Sequence, residues 1–384
     1  MGAPQPAPSA QDAPNPTRPQ IGTGEVAAPA PPSRAQPDPA WGPAASWGRA
    51  PADWSVEDVR RFLRPYGRAP VHLTVQVLPG GWENLNLRVD ADGERFVLRR
   101  YDVTHPDEVR WEIDLLRFLT ARAFPTPALI VQSDGGALGA FAGRPAALFA
   151  FVHGHHPRWD APGAGEAAAA IVAELHQVTA GLALPHPRTR LDNRRRLERF
   201  RAGIEARGVA PDETALRRLA AEVDHSTAEF AARLEAVETA SGALPRGVVH
   251  HDAHGNNLLF DAAGRLVALL DFDDAHETFL LADLAVLLDT WGAARTDDYR
   301  SEPHRARQVL DAYVRRRQLT ASERALLPDA MALYNLADAT SYVTGRMAEG
   351  TPAETAIADC GQYARFRERT AAADWRDRLR DSLL

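Results

Sequence analysis

The fold of this chain is decided at Val248-Val249-His250-His251-Asp252-Ala253-His254-Gly255-Asn256-Asn257-Leu258-Leu259-Phe260. A short apolar strand enters a polar loop, and a second apolar strand leaves it. Further on, Leu269-Leu270-Asp271-Phe272-Asp273-Asp274 repeats the pattern of a strand followed by acids. Phosphoryl transfer needs three polar roles in such an arrangement. One carboxylate orients or deprotonates the attacking hydroxyl, and a carboxylate and an amide oxygen hold a metal ion on the phosphates. Asp252, Asp271 and Asn257 can fill these roles in that order. The same loop offers His250, His251, His254 and Asp252 as zinc ligands, but no motif supplies further ligands.

Outward from this loop, the rest of the chain divides by character. Residues 1–52 are a Pro/Ala-rich stretch that cannot bury enough surface to offset its ordering entropy; it reads as a disordered tail or an over-long gene start. Ser55-Val56-Glu57-Asp58 is a helix start, with the serine as N-cap. Strands are expected at Val71–Leu78, Leu85–Val89 and Arg95–Tyr101, followed by a helix from Pro106 to Ala123 with Val109, Ile113, Leu116 and Leu119 at helical spacing. Two further strands, Ala128–Gln132 and Ala146–Val152, flank a polar hairpin. Beyond Gly154 helical patterns cover about 161–183, 190–207, 211–240, 303–317 and 321–348, interrupted by one β-rich interlude at Gly247–Phe272. The expected architecture is therefore α+β: a β-rich lobe at 53–154 and a mainly helical lobe at 155–384 that carries the catalytic loop and metal site.

H-x-D-x-x-x-x-N followed by an apolar strand and L-D-F resembles the catalytic core of the aminoglycoside phosphotransferase and choline kinase family, relatives of the protein kinases. The resemblance implies a protein-kinase-like two-lobe fold, with ATP and Mg2+ in the cleft and a small hydroxyl-bearing molecule as acceptor. It places Asp252 and His250 in the catalytic loop, His250 more as a brace than as a proton carrier, and Asn257 and Asp271 on the metal. Asp283, in Ala282-Asp283-Leu284-Ala285, stands where the family supports its catalytic loop, and Leu175-His176 resembles a pair common in the first helix of the second lobe. Gly80-Gly81-Trp82-Glu83-Asn84-Leu85-Asn86 resembles the phosphate turn of the bacterial homoserine kinase-like branch, which gives Gly80, Gly81 and Asn84 to the nucleotide. Arg99 stands where many members carry lysine, Glu112 at the helix carboxylate that pairs with it, and Phe151 and Val152 at the hinge that meets adenine.

Asp273, Asp274, His276 and Glu277 form an acidic cluster after the metal aspartate. Asp273 could touch a second metal ion, and Asp273, Asp274 and Glu277 could hold a cationic substrate such as an amino alcohol or amino acid; the plain alternative is surface charge. Homoserine-like acceptors rank first, with residues Tyr334–Tyr342 as a candidate wall of their pocket. Aminoglycosides, a protein Ser/Thr substrate, and a nucleotide-binding pseudokinase are the alternatives.

Bulk composition excludes other classes. All 44 basic residues are arginine, a bias that a GC-rich genome explains, so every cationic role falls to a planar guanidinium. A net charge of -7 argues against a nucleic-acid partner. No apolar run approaches a membrane span, and the N-terminus lacks a secretory pattern. The single cysteine, Cys360, reads as buried bulk and fits a reducing cytoplasm. The run Arg194-Arg195-Arg196 reads as a solvated helix face. A monomer or homodimer is expected.

Overall fold

Ser55 opens the first helix, α1 (Val56–Leu63), through a reciprocal cap: its backbone N–H reaches Asp58 Oδ2 at 2.8 Å while its Oγ accepts from the Asp58 N–H at 3.2 Å. The computed structural model describes residues 53–78, 84–102, 106–158, 160–186, 188, 192–293 and 302–384. The expected tail at 1–52 and the glycines Gly80 and Gly81 lie outside the described residues. All the described residues belong to one compact unit, Ala45–Leu384.

The first lobe is an antiparallel sheet. β1 (Leu73–Val77), β2 (Asn84–Ala91), β3 (Glu94–Tyr101), β4 (Leu129–Ile130), β5 (Gly139–Phe141) and β6 (Arg144–Ala150) pair in the order β1-β2-β3-β6-β4, with β5 also on β6. β3 is central, so strand alternation gives it two buried faces. Phe96 and Leu98 join Phe62, Leu87 and Leu148 in a core capped by α1. Arg99 and Tyr101 point to the opposite face, where Tyr101 packs with α2 (Pro106–Thr120). β5, inside the polar hairpin, is the one strand of this sheet that the sequence pattern did not give.

α2 buries Val109, Ile113, Leu116 and Leu119 as their spacing requires, and with them Trp111, Leu115 and the charged Glu112. The second lobe contains α3 (Ala164–Val178), α4 (Asn193–Arg207), α5 (Thr214–Ser241), α6 (Leu281–Trp291), α7 (Pro303–Arg316) and α8 (Ala321–Ala348). Two small antiparallel ladders interrupt them: β7 (Arg246–Val249) with β10 (His276–Phe279), and β8 (Leu258–Phe260) with β9 (Leu266–Leu269). The main core runs through both lobes, joining Leu115 and Phe149 to Val172, Leu258, Leu269, Leu284 and Tyr313. The β-rich interlude thus extends past Phe272 to Phe279, and α6 follows it where no helix was expected. Short helices at Ala353–Ala358, Gly361–Thr370 and Trp375–Leu383 complete the chain. No helix among the described residues is long and apolar enough to cross a membrane.

Candidate active site

The polar loop between β7 and β8 is held from behind. Asp283, on the first turn of α6, accepts the His250 N–H at 2.8 Å and the His251 N–H at 2.5 Å. Its Oδ2 also meets His176 Nε2 at 2.9 Å, and His176 Nδ1 meets the Tyr313 hydroxyl at 2.7 Å. Burial works against the Asp283 charge, but His176 and the loop amides hold its carboxyl below its ordinary value. Trp291 adds a third support by donating from Nε1 to the Ala253 carbonyl at 2.9 Å. His251 is thereby fixed at φ 65° and Asp271 sits at φ 61°, a left-handed conformation that costs a non-glycine residue roughly 1–3 kcal/mol. Both strained residues border the candidate site.

His250 is fully buried, and both ring nitrogens are taken: Nε2 meets the Leu270 carbonyl at 2.9 Å and Nδ1 accepts the Asp252 N–H at 3.2 Å. These contacts fix a neutral tautomer, and burial lowers its pKa further. His250 therefore ties the Asp252 loop to the Asp271 segment and does not face the cleft. This arrangement also withdraws it from any zinc site; no cluster of three or more His, Cys, Asp or Glu fit for a metal occurs among the described residues.

Asp252 and Asn257 form one unit. Asn257 Nδ2 donates to the Asp252 carbonyl and to Asp252 Oδ2, both at 2.8 Å. His254 Nε2 lies 3.5 Å from the same carboxylate oxygen, and burial lowers the His254 pKa to about 4. Withdrawal from water, then Asp274 and Asp271, push the Asp252 carboxyl well above its ordinary value. The Asn257 amide, with its nitrogen turned to Asp252, presents its oxygen away from that contact. Asp271 keeps Oδ2 without a hydrogen bond among the described residues, its Oδ1 being taken by Arg99 at 2.9 Å. Two hard oxygen donors on adjoining segments suit a divalent cation that completes its shell with phosphate oxygens and water.

Arg99 crosses from the sheet to these acids. Its guanidinium meets Asp271 Oδ1 at 2.9 Å and Asp273 Oδ2 at 2.5 Å. Burial opposes the Asp271 charge, yet Arg99 holds its carboxyl below the usual range. Asn84 Nδ2 reaches the same Asp273 oxygen at 2.5 Å. Glu112, expected to pair with Arg99, instead accepts the Tyr101 hydroxyl at 3.0 Å, and no Arg99–Glu112 ion pair occurs among the described residues. Burial and the neighbouring Asp273 raise Glu112 to about 8, with Arg99 opposing. Arg99 turns to the two aspartates and not to Glu112.

At the far end of β6, Phe151 continues the ladder by donating to the Arg95 carbonyl at 3.3 Å, and Val152 makes no hydrogen bond among the described residues. Glu277 stands apart from the acids it was grouped with: it is exposed on β10 and lines a cavity of about 280 Å³ with Trp111, Arg188 and His276. Arg188 had no sequence signal, being one arginine in an unpatterned loop. It is nearly buried and donates to the carbonyls of Ala275 (2.8 Å), Phe272 (3.4 Å), Glu108 (3.1 Å) and Asp273, so it staples the acid loop to α2. Arg194 and Arg195 are exposed as expected, but Arg196 is half-buried.

The sequence model described as the phosphotransferase enzyme family matches residues 74–319, more than half of the chain. Homoserine kinase of Pseudomonas aeruginosa (strain LESB58) is 30% identical over 267 residues, covering 68% of this chain and 78% of that protein. Homoserine kinase of Nitrobacter winogradskyi is 29% identical over 280 residues, covering 72% and 80%. Among solved structures, a microcompartment-associated aminopropanol kinase superposes with a TM-score of 0.60 at 23% identity, over 83% of this chain and 98% of that one. A choline/ethanolamine kinase family protein from Mesorhizobium loti gives 0.56 at 16% identity, over 85% and 98%.

Proposed function

Because this chain belongs to the phosphotransferase enzyme family, we propose that it is a small-molecule kinase that moves the γ-phosphoryl group of ATP to the hydroxyl of an amine-bearing metabolite, an amino alcohol or an amino acid such as homoserine. The names of the relatives support this acceptor class. The observation that carries the reading is the Asp252–Asn257–Asp271 arrangement under Arg99. The acceptor hydroxyl passes its proton to Asp252 as its oxygen bonds to the γ-phosphorus; the bond to the bridging oxygen breaks and ADP leaves. Asn257 and Asp271 hold a divalent cation, Mg2+, which supplies positive charge to the phosphates when bound. Arg99 binds phosphate oxygens, positioned by Asp273, and Asn84 borders the same groups. The open backbone of Val152, beside Phe151, meets the adenine. Positioning and charge neutralisation supply most of the rate. The lone cysteine suits a reducing cytoplasm as its compartment.

A coupled ADP-release assay with Mg-ATP and a panel of amino alcohols, hydroxy amino acids, sugars and aminoglycosides tests this function. One acceptor should be turned over, with kcat reduced roughly 10²- to 10⁴-fold in Asp252→Ala. Binding of ATP with no turnover of any acceptor would instead favour a nucleotide-binding pseudokinase.

A further inference from the structure

Opposite Asp252 stands the part of α8 expected to wall the acceptor pocket, which the phosphoryl-transfer roles above do not use. Tyr334 and Asp338 are one helical turn apart, so both side chains project from the same side of α8. Tyr334 is only 7% exposed, and its ring stands edge-on to His251 at 6.3 Å. Its hydroxyl has no hydrogen-bond partner among the described residues. Asp338 is half-buried and makes no hydrogen bond or ion pair among the described residues. Its charge acts on both Asp252 and the Tyr334 phenol, which places it on the catalytic side of the helix. Neither the Tyr334 hydroxyl nor the Asp338 carboxylate is sealed from solvent, so both groups are open to a ligand that enters beside Asp252.

Two cations act on this group, Arg196 and Arg365, and Arg365 is already engaged by Asp289 at 2.9 Å. α4 packs on α8 through Leu197 and Phe200 against Leu333 and Ala337. Arg196, the residue before Leu197, has no ion pair among the described residues. Burial raises the Asp338 carboxyl and Arg196 opposes that rise, while the same guanidinium disfavours a charge on His251. The side of α8 facing Asp252 thus brings together an acid, a phenol and an arginine without hydrogen-bond or ion-pair partners among the described residues.

We infer that Tyr334, Asp338 and Arg196 form the acceptor pocket and select a zwitterion, a hydroxy α-amino acid rather than an amino alcohol. Asp338 takes the ammonium with Tyr334 beside it, Arg196 takes the carboxylate, and the side-chain hydroxyl is left to face Asp252. An acid alone would accept any amine; the arginine makes the carboxylate part of recognition, because without it Arg196 stays unpaired.

This inference rests on the kinase reading, and three probes separate the two. L-homoserine carries both charged groups, 3-aminopropan-1-ol lacks the carboxylate, and 4-hydroxybutanoate lacks the amine. Initial rates with Mg-ATP give KM and kcat for wild type, Asp338→Asn and Arg196→Gln, with melting curves and an ATP titration to establish that each variant is folded. Wild type should show its lowest KM for homoserine. Asp338→Asn should raise KM for homoserine and 3-aminopropan-1-ol about 10- to 100-fold, the worth of a charged hydrogen bond, and leave 4-hydroxybutanoate unchanged. Arg196→Gln should raise KM for homoserine and 4-hydroxybutanoate and leave 3-aminopropan-1-ol unchanged. Equal effects on all three probes, or an unchanged homoserine KM in both variants, would overturn the pocket while leaving the kinase standing. Wild type that turns over none of the three overturns the acceptor class together with the pocket.

Discussion

Arg99 in the sheet and Asp273 in the acid loop of the helical lobe hold each other at 2.5 Å, across the cleft and within reach of Asp271. The arginine is 12% exposed, so this contact is only weakly screened. Nucleotide phosphates entering the cleft would share a guanidinium that two carboxylates already hold.

Arg99→Ala should therefore raise the KM for ATP by roughly 10- to 100-fold and also lower the melting temperature, since two recessed aspartates lose their counter-charge. Arg99→Lys should fall between: one nitrogen, Nη2, meets both carboxylates, a contact an ammonium can keep, while the other guanidinium donors are lost to the phosphates. Steady-state kinetics on both variants checks the order.

The buried Glu112 makes a pH prediction. Its folded pKa is raised from 4.5 to about 8, so the folded state keeps a proton that the unfolded chain releases. The stability from this group is present below the ordinary value and is lost as pH rises toward the raised one, at no more than about 1.4 kcal/mol per pH unit. Glu112→Gln removes that dependence. Melting curves of wild type and variant between about pH 5 and pH 8 should show the wild type losing ground relative to the variant; parallel curves would contradict the assignment.

Asp283→Ala should be the most damaging single change outside the cleft. It leaves two loop amides and His176 without their acceptor, at a cost of about 3–5 kcal/mol for an uncompensated buried network. Denaturant midpoints should fall accordingly, and kcat should fall with them, while Asp283→Asn should recover part of both.

Arg188→Met keeps the packing on Trp111 but removes the donors to Ala275, Phe272 and Glu108. Each carbonyl left without a partner costs about 1–3 kcal/mol. The variant should show a raised KM for Mg-ATP and faster proteolysis at α2, because the acid loop and that helix lose their common tie.

Asp252, Asn257 and Asp271 could be read from the sequence because each sits a short distance from an apolar strand, and Asp283 because Ala282-Asp283-Leu284-Ala285 resembles a family element. Arg188 and Arg196 could not, and Asp338 was covered only by the broad stretch 334–342. Arg188 and Arg196 come from a loop and a helix far along the chain, and only the packing of the loop on α2 and of α4 on α8 shows what they stand beside. α6 was missed for a different reason. Leu281–Trp291 is buried on nearly every side, so it lacks the polar face whose period would reveal a helix. β5 and the last three helices are too short for periodicity to emerge. The expected Glu112 pairing is not made because Asp271 and Asp273, from the other lobe, reach Arg99 and Tyr101 reaches Glu112, contacts that spacing along a helix cannot show.

His251 and Asp271, both left-handed without being glycine, flank the site under tension. A loop held this way behaves like a latched spring. Its failure is a step and not a slope: once Asp283 lets go, the backbone gains by moving away. Damage to the latch should then divide the molecules into competent and incompetent populations, with little loosening shared by all.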